Sequence, residues 1–210
     1  YFPKAQRRLA ALCDRPSKKC AKRWASDKMT KWAQKEFADQ DFDSEDLSGV
    51  EFERCSFTHC SFVGADLSES KIVKCSFDDC NFDQARINSI AAESSSFANC
   101  TFTHAYLFLS RFSQCRFIGA SFANADMAGI VIAGGDWSWS NLRHQTLKEL
   151  DLRGLKLVET DLYGADLSKS DLRDCDFTKA DLSNARLVNA DLRAAKLQGA
   201  NLEAADLKGT

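Results

Sequence analysis

An apolar residue recurs at every fifth position of the chain from Phe42 to Leu207, without an insertion or a deletion. The 34 positions of this series hold Phe, Leu, Ile, Met, Trp and, once, Ala. The residue two places before is usually Ala, Cys or Ser, and the residue one place before is most often Asp or Asn. An α-helix repeats about every 3.6 residues and a β-strand about every two, so neither produces a period of five. The pattern therefore predicts a coiled, repetitive architecture. We call each recurring apolar residue a pentad centre.

Units such as Ala165-Asp166-Leu167-Ser168 and Ala200-Asn201-Leu202-Glu203 resemble those of the pentapeptide-repeat family. The resemblance covers residues 40–210, about four-fifths of the chain. It implies an all-β solenoid, specifically a right-handed quadrilateral parallel β-helix with four pentads in each coil. It also implies that each centre, and the residue two places before it, points inward. The 34 pentads then form about 8.5 coils.

A coil of 20 residues should place similar residues above one another, and the sequence shows this stacking. Asp-Leu-Arg recurs at 151, 171 and 191. Columns of one residue type follow the same interval: Cys60, Cys80 and Cys100; Phe42, Phe62, Phe82, Phe102 and Phe122; Phe57, Phe77, Phe97 and Phe117, continued by Trp137. The chain therefore predicts the coil length independently of the resemblance.

Two segments depart from the pattern. In residues 90–96 the small centre Ala92 is preceded by the large Ile90, which predicts a local exchange of volume. In residues 130–155 the inward positions are filled by larger or polar residues, among them Gln145, a buried amide that needs a hydrogen-bond partner. We expect a bulge or a bend near residues 133–135 and 144–149.

Residues 1–39 lack the period and are predicted to form an α-helical cap or linker ahead of the repeat domain, 40–210. One helix is expected over Lys4–Asp14, and a second from Ser17 to about Phe37. Residues 1–38 carry a net charge of +8 and the remainder −10, so the chain joins a basic arm to an acidic rod. The helices either cover the first coil or present a basic surface to a partner. The basic residues of this arm include Arg7, Arg8, Lys18, Lys19, Lys22 and Arg23.

No catalytic, cofactor or metal site is predicted. The histidines His59, His104 and His144 fall at exposed corner positions, and the frequent Asp residues are expected to bond nearby backbone N–H groups. Seven of the nine cysteines take inward positions, where we expect buried thiols in a reducing, cytoplasmic compartment. A disulfide or a metal within the cysteine column is the alternative. No apolar run is long enough to predict a transmembrane segment.

Binding is expected at the outer surface, since the resemblance implies a filled interior. Tyr106, Phe108 and Leu109 are predicted to point outward together, with Val131 at the same corner of the next coil. Trp139 is placed at another corner. Exposed aromatic residues on a polar rod predict a protein interface, although the N-terminal helices would remove it by folding back over these residues.

Two functions are consistent with these features. The first is a non-enzymatic docking module within a larger bacterial protein, such as a secreted effector or a secretion-associated protein, without a small-molecule substrate. The second is DNA mimicry, because some pentapeptide-repeat proteins protect DNA gyrase by imitating duplex DNA. The Asp151, Asp171 and Asp191 column lies beside an arginine column, and we therefore expect no continuous acidic stripe. Neither function involves sequence-specific nucleic-acid binding. The chain ends within the pattern, which also predicts self-association through that end.

Overall fold

The computed structural model describes residues 31–210, which form an all-β parallel solenoid without a helix. None of these residues lies in a helix that could cross a membrane. The strands are short: β1 Lys31–Ala33, β2 Glu36–Ala38, β3 Glu51–Glu53, β4 Ser56–Thr58, β5 Lys71–Val73, β6 Ser76–Asp78, β7 Ala91–Glu93, β8 Ser96–Ala98, β9 Arg111–Arg116 and β10 Val131–Asp136.

Every strand pair is parallel and joins residues about one coil apart. Phe57 pairs with Phe77, and Phe77 pairs with Phe97. Beyond β10, single bridges continue the same 20-residue step as far as Arg186 and Asp206. The predicted coil of 20 residues is therefore confirmed, and the 180 described residues correspond to nine coils.

Four pentads in each coil give the solenoid four faces, which we number along the first described coil. Their first centres are Trp32 on face 1, Phe37 on face 2, Phe42 on face 3 and Leu47 on face 4. Strands β1, β3, β5 and β7 lie on face 1, and β2, β4, β6 and β8 lie on face 2. The longer strands β9 and β10 turn the corner between these two faces.

The corner of each pentad lies two residues after its centre and has a left-handed backbone. This conformation is held by 27 residues other than glycine, with φ from 49° at Ser94 to 61° at Glu149. The Asp before the centre stabilises the turn, as its Oδ1 accepts the N–H two residues later, for example from Ser168 to Asp166 at 3.0 Å. The predicted role of these Asp residues is confirmed.

The core consists of stacked centres. Along face 2, the ring centroids of Phe57 and Phe77 are 4.6 Å apart and the two rings are parallel. Along face 3, Phe62 and Phe82 stack at 4.8 Å. These separations match the roughly 4.8 Å between neighbouring β-strands, so hydrogen bonding and ring stacking require the same spacing. Each coil is stabilised by its neighbours above and below.

The period begins earlier than the sequence analysis predicts. Residues 31–33 and 36–38 are strands, and the helix expected to reach Phe37 is wrong over this stretch. Trp32 is buried against Phe52, and Phe37 stacks on Phe57 at a centroid distance of 5.0 Å. Both residues fit the five-residue series, but Lys35 occupies an inward position and obscures the pattern. The rest of the expected helical cap, residues 1–30, lies outside the described residues.

The expected irregularity is present between two coils. Backbone bridges join residues 20 apart throughout the described chain, except that Asp126 does not pair with Thr146 and Val131 does not pair with Asp151. The same two coils remain bonded on either side of this opening: Asp136 pairs with Lys156 on face 2, and Ser121 pairs with Asn141 on face 3. The coils therefore open as a wedge on faces 4 and 1.

Residues 144–149 keep regular bonds to the following coil, whereas Thr146 N–H lacks its backbone partner in the preceding coil, so the expected irregularity lies on one side of this segment. His144 N–H donates to Tyr163 O at 2.9 Å, and Glu149 N–H donates to Ser168 O at 3.0 Å. Gln145 is buried, and its Nε2 donates to Phe122 O at 2.8 Å, which supplies the partner that the sequence requires. The unusual backbone lies at Gly135, whose φ is 115°.

Candidate functional site

Side chains fill the interior of the described coils. Every centre from Phe42 to Leu187 is buried, including the small Ala92 with its large neighbour Ile90. The unbroken series of aromatic centres on face 2 ends in Trp137, which lies against Phe117 and Phe122. A partner must therefore bind at the outer surface, between coils or at an end of the solenoid.

The seven described cysteines are free and buried, and their thiols point inward. Cys60, Cys80 and Cys100 lie in one column, as predicted, and each thiol donates to a backbone carbonyl of the preceding coil, for example from Cys80 to Phe57 O at 3.5 Å. Burial raises the pKa of the Cys75 thiol to about 11. The Cys75 thiol is therefore neutral at physiological pH, and the disulfide alternative is not found among the seven described cysteines.

The three histidines lie at exposed corners. His59 lies between two carboxylates, with Asp79 at 3.3 Å and Asp39 at 3.8 Å. His144 meets the ring of Tyr163 edge-on at a centroid distance of 5.4 Å. Within residues 31–210, no group of three or more His, Cys, Asp and Glu side chains is arranged to hold a metal ion.

Exposed apolar side chains lie on face 4 and around the corner between faces 4 and 1. Tyr106 is 49% exposed and Leu109 60% exposed, while Phe108 between them is half-buried. Val131, 41% exposed, lies in the next coil, and it pairs through the backbone with Arg111, two residues after Leu109. We call these four residues, Tyr106, Phe108, Leu109 and Val131, the apolar patch.

Trp139 lies apart from the apolar patch. It is 57% exposed at the corner between faces 2 and 3, diagonally across the coil from the corner of Leu109. Its indole Nε1 donates to Glu159 Oε2 at 3.1 Å, and this bond, together with Lys179, lowers the pKa of Glu159. Trp139 therefore cannot join the other four predicted interface residues in one contact.

Charge differs between the faces. On face 1, Arg173 donates two hydrogen bonds to Asp171, of 2.5 and 2.8 Å. It also lies 3.6 Å from Asp191 in the next coil. The Arg–Asp pair keeps the pKa of the Asp171 carboxyl low and that of the Arg173 guanidinium high. Acid and base thus alternate along this face, as the sequence predicts.

Face 3 is different, because its outward positions are almost entirely acidic or neutral. Its carboxylates are Asp41, Asp43, Asp83, Asp161, Asp181 and Glu203. The single cation at these positions is Arg143, which lies 3.0 Å from Asp161 Oδ2 and 4.3 Å from the ring of Tyr163. These carboxylates are interrupted between Asp83 and Asp161, so face 3 is acidic in net charge but carries no continuous acidic stripe, as expected. The sequence analysis considered the Asp151 column alone, and grouping residues 20 apart would have shown the charge imbalance of face 3.

The wedge between the open coils forms a cleft of about 810 Å³. One wall is formed by residues 130–134 and the other by residues 149–154. Ser113, Gln114 and Asp174 complete the lining. The apolar patch reaches this cleft, since Val131 belongs to both. Sequence reasoning placed an irregularity here but did not identify a binding cleft.

Two bulky inward residues explain the opening. Ile130 and Leu150 lie one above the other in a column that continues with Ser110 and Ser170 on either side. Two branched side chains in adjacent coils need more space than the roughly 4.8 Å that backbone pairing permits. The stacking of large inward residues was the sequence signal for the cleft.

The predicted basic arm, with Arg7, Arg8, Lys18, Lys19, Lys22 and Arg23, lies outside the described residues. Its relation to the first coil and to the apolar patch stays a prediction.

Comparison with known proteins places this fold in a defined group. A family model described as pentapeptide repeats (8 copies) matches residues 46–84, 95–131, 138–174 and 170–209. These segments cover more than half of the chain. No curated protein matches the sequence significantly.

Solved structures share the architecture at low sequence identity. Two trypsin-treated variants of QnrB1, a plasmid-mediated fluoroquinolone resistance protein, are 24% identical, with TM-scores of 0.72 and 0.75. The alignments cover 83% and 84% of this chain and 90% and 91% of QnrB1. HetL from Nostoc sp. strain PCC 7120, involved in heterocyst differentiation regulation, is 22% identical with a TM-score of 0.54, covering 92% of this chain and 95% of HetL. At these identities the likeness concerns the fold.

Proposed function

The chain belongs to the pentapeptide-repeat family, and from this premise we propose that it is a non-enzymatic module that binds another protein through its outer surface. The observation that carries the proposal is the apolar patch. Three of the five large apolar side chains that are exposed among the described residues lie in it. Exposed apolar groups on neighbouring positions of a polar rod are typical of a protein interface.

The proposal assigns the module to a reducing compartment. Seven buried thiols support this assignment, because they serve as small fillers and show no disulfide among the described residues. The compartment is the cytoplasm of the producing cell or, for a secreted protein, that of its target cell. A larger protein with further domains is consistent with either location.

A pull-down with matched variants tests the interface. The chain carrying Tyr106→Ser, Leu109→Ser and Val131→Ser should lose the proteins that the unmodified chain retains, whereas Trp139→Ser should retain them. Trp139 is a suitable control because it is equally exposed and lies on another corner. Circular dichroism checks that every variant keeps its β-solenoid. If the triple variant and the unmodified chain captured the same proteins, the apolar patch would not be the interface.

A second candidate function is DNA mimicry toward DNA gyrase, and face 3 is the observation that favours it. A protein that imitates a duplex needs a field of one sign along its length. Face 3 supplies six carboxylates against one arginine, while face 1 is balanced. QnrB1, a fluoroquinolone resistance protein, shares the fold.

The test is a supercoiling assay with purified gyrase and a quinolone. Asp83→Asn, Asp161→Asn and Asp181→Asn combined should abolish any protection given by the chain. The matched control combines Asp151→Asn, Asp171→Asn and Asp191→Asn, which removes the same charge from the balanced face. Absence of protection by the unmodified chain, or equal loss in both variants, would exclude mimicry by face 3.

A further inference from the structure

The open coils leave backbone groups without the partners that they have elsewhere in the solenoid. In the preceding coil, Leu107 N–H donates to Asp126 O at 2.7 Å and Leu109 N–H donates to Ala128 O at 2.9 Å. The equivalent donors one coil later, Met127 and Gly129 N–H, have no backbone partner in the described chain. The N–H groups of Ile132 and Gly134, in the following pentad, also have no backbone partner in the coil that carries Leu150.

The opposite wall of the cleft exposes the complementary groups. The acceptors that the repeat would provide are the carbonyls of residues 146, 148, 151 and 153, and no described backbone N–H donates to them. On the same wall the N–H groups of Thr146 and Asp151 also lack backbone partners. Both walls thus resemble the edges of a parallel sheet, where unpaired groups accept a further strand.

The cleft is lined by apolar side chains at its rim and by one carboxylate that forms no ion pair in the described chain. Val131 is exposed at the rim and Leu150 is half-buried in the wall. Among the charged lining residues, Glu149 lies 3.1 Å from Lys169, and Arg153 and Asp151 bind each other. Asp174 has no cation within 4 Å in the described chain. The cleft therefore favours an occupant with apolar residues and at least one Lys or Arg.

We propose that this cleft binds an extended peptide segment of the partner protein, which pairs with the coils on both sides as an inserted parallel strand. Backbone pairing of this kind supplies affinity, and the side-chain contacts supply selectivity. The peptide lies parallel to the coils because every strand pair in the solenoid is parallel. This inference rests on the proposed function and specifies what the apolar patch recognises.

Hydrogen exchange of the intact chain is the first test. The amides of Met127, Gly129 and Ile132 should exchange faster than those of Leu107 and Leu109, which are hydrogen-bonded in the preceding coil. The substitution Leu150→Ser restores a small residue between Ser170 and Ile130, so it should close the wedge and slow the exchange of all three amides. Equal protection of the two sets in the unmodified chain would overturn the proposal, because the cleft would then be closed.

Binding is measured with a defined probe, a fluorescein-labelled nonapeptide copying residues 106–114, which has apolar residues and the arginine of position 111. Fluorescence anisotropy should show binding, and hydrogen exchange should show protection at the three amides. N-methylation of alternate peptide nitrogens removes backbone donors and should weaken binding by about tenfold or more. If the methylated and unmethylated peptides bound equally well, binding would depend on apolar contacts alone and the proposed strand insertion would be overturned.

Charge exchange tests whether the arginine of the probe lies near Asp174. Asp174→Lys should weaken binding of the probe, and a probe with Glu in place of its arginine should recover it. The alternative occupant of the cleft is a second copy of the chain, and light scattering after gel filtration detects such a dimer. If the three amides become protected as the dimer forms, in the absence of the probe, the occupant is the second copy and the peptide proposal is overturned. If the probe fails to bind while the triple variant still loses its captured proteins, the strand inference fails and the proposed function stands.

Discussion

Replacement of Gly135 by alanine should destabilise the solenoid more than the same replacement at any corner glycine. Gly135 has a φ of 115°, far from the 49–61° of the corner residues other than glycine. A Cβ at this position would lie well inside van der Waals contact of the carbonyl oxygen of Cys115 in the preceding coil. The obstacle is backbone, so it cannot rotate away.

The magnitude follows from these two effects. A non-glycine residue in a sparsely populated backbone region costs about 1–3 kcal/mol, and overpacking costs about another 1–3 kcal/mol. We expect the free energy of unfolding to fall by about 4 kcal/mol for Gly135→Ala. Gly154→Ala is the matched control, because it has a φ of 68° and no atom within 4 Å of the added Cβ. Left-handed strain should cost about 1 kcal/mol there.

Urea unfolding followed by circular dichroism measures both variants. The midpoint of Gly135→Ala should fall clearly below that of Gly154→Ala, with an unchanged slope if the native coil is retained. Equal midpoints for the two variants would refute the reasoning. They would show that the coil around Gly135 shifts freely enough to admit a side chain.

Three further predictions concern the core, the thiols and the charged face. Phe97→Ala should lower the free energy of unfolding by about 3–5 kcal/mol in urea unfolding, since Phe97 stacks between two rings. Phe108→Ala, at a half-buried outward position, should cost less, about 1 kcal/mol. The described thiols, exemplified by Cys75 with a pKa of about 11, should resist iodoacetamide at pH 8 in the native chain and react after unfolding, as peptide mass mapping will show. The hydrogen bond from Arg193 lowers the pKa of Asp191 to about 2. Its stabilising contribution should be complete above the unfolded pKa of about 3.9 and lost as the pH falls through 2, and an NMR titration that places its pKa near 3.9 would contradict this assignment.

The repeat itself could be predicted from the sequence because each pentad carries the same types of residue at the same positions. An apolar centre, a small inward residue and an Asp before the centre recur without a shift from Phe42 onward, so neighbouring units agree on one register. The structure confirms the columns that this register predicts, including Cys60, Cys80 and Cys100. The outward position of Leu109 also follows from counting by five.

The start of the described solenoid was missed because one residue contradicted the pattern. Lys35 takes an inward position where the family pattern has a small residue, and its pKa is lowered by burial. Its Nζ lies 5.0 Å from the ring of Trp32, so the neighbouring aromatic accommodates the cation. Such compensation by a contacting side chain is not visible in a five-residue pattern.

The sequence alone determined the coil length, the inward columns and the corners, because these depend on residues close together in the chain and repeated many times. Only the tertiary structure decided where the coils separate. That outcome depends on a competition between hydrogen bonding across 20 residues and the contact of Ile130 with the coil that carries Leu150. On faces 2 and 3 the backbone bonds prevail, while on faces 4 and 1 the bulk of the side chains does, and this difference gives the rod its cleft.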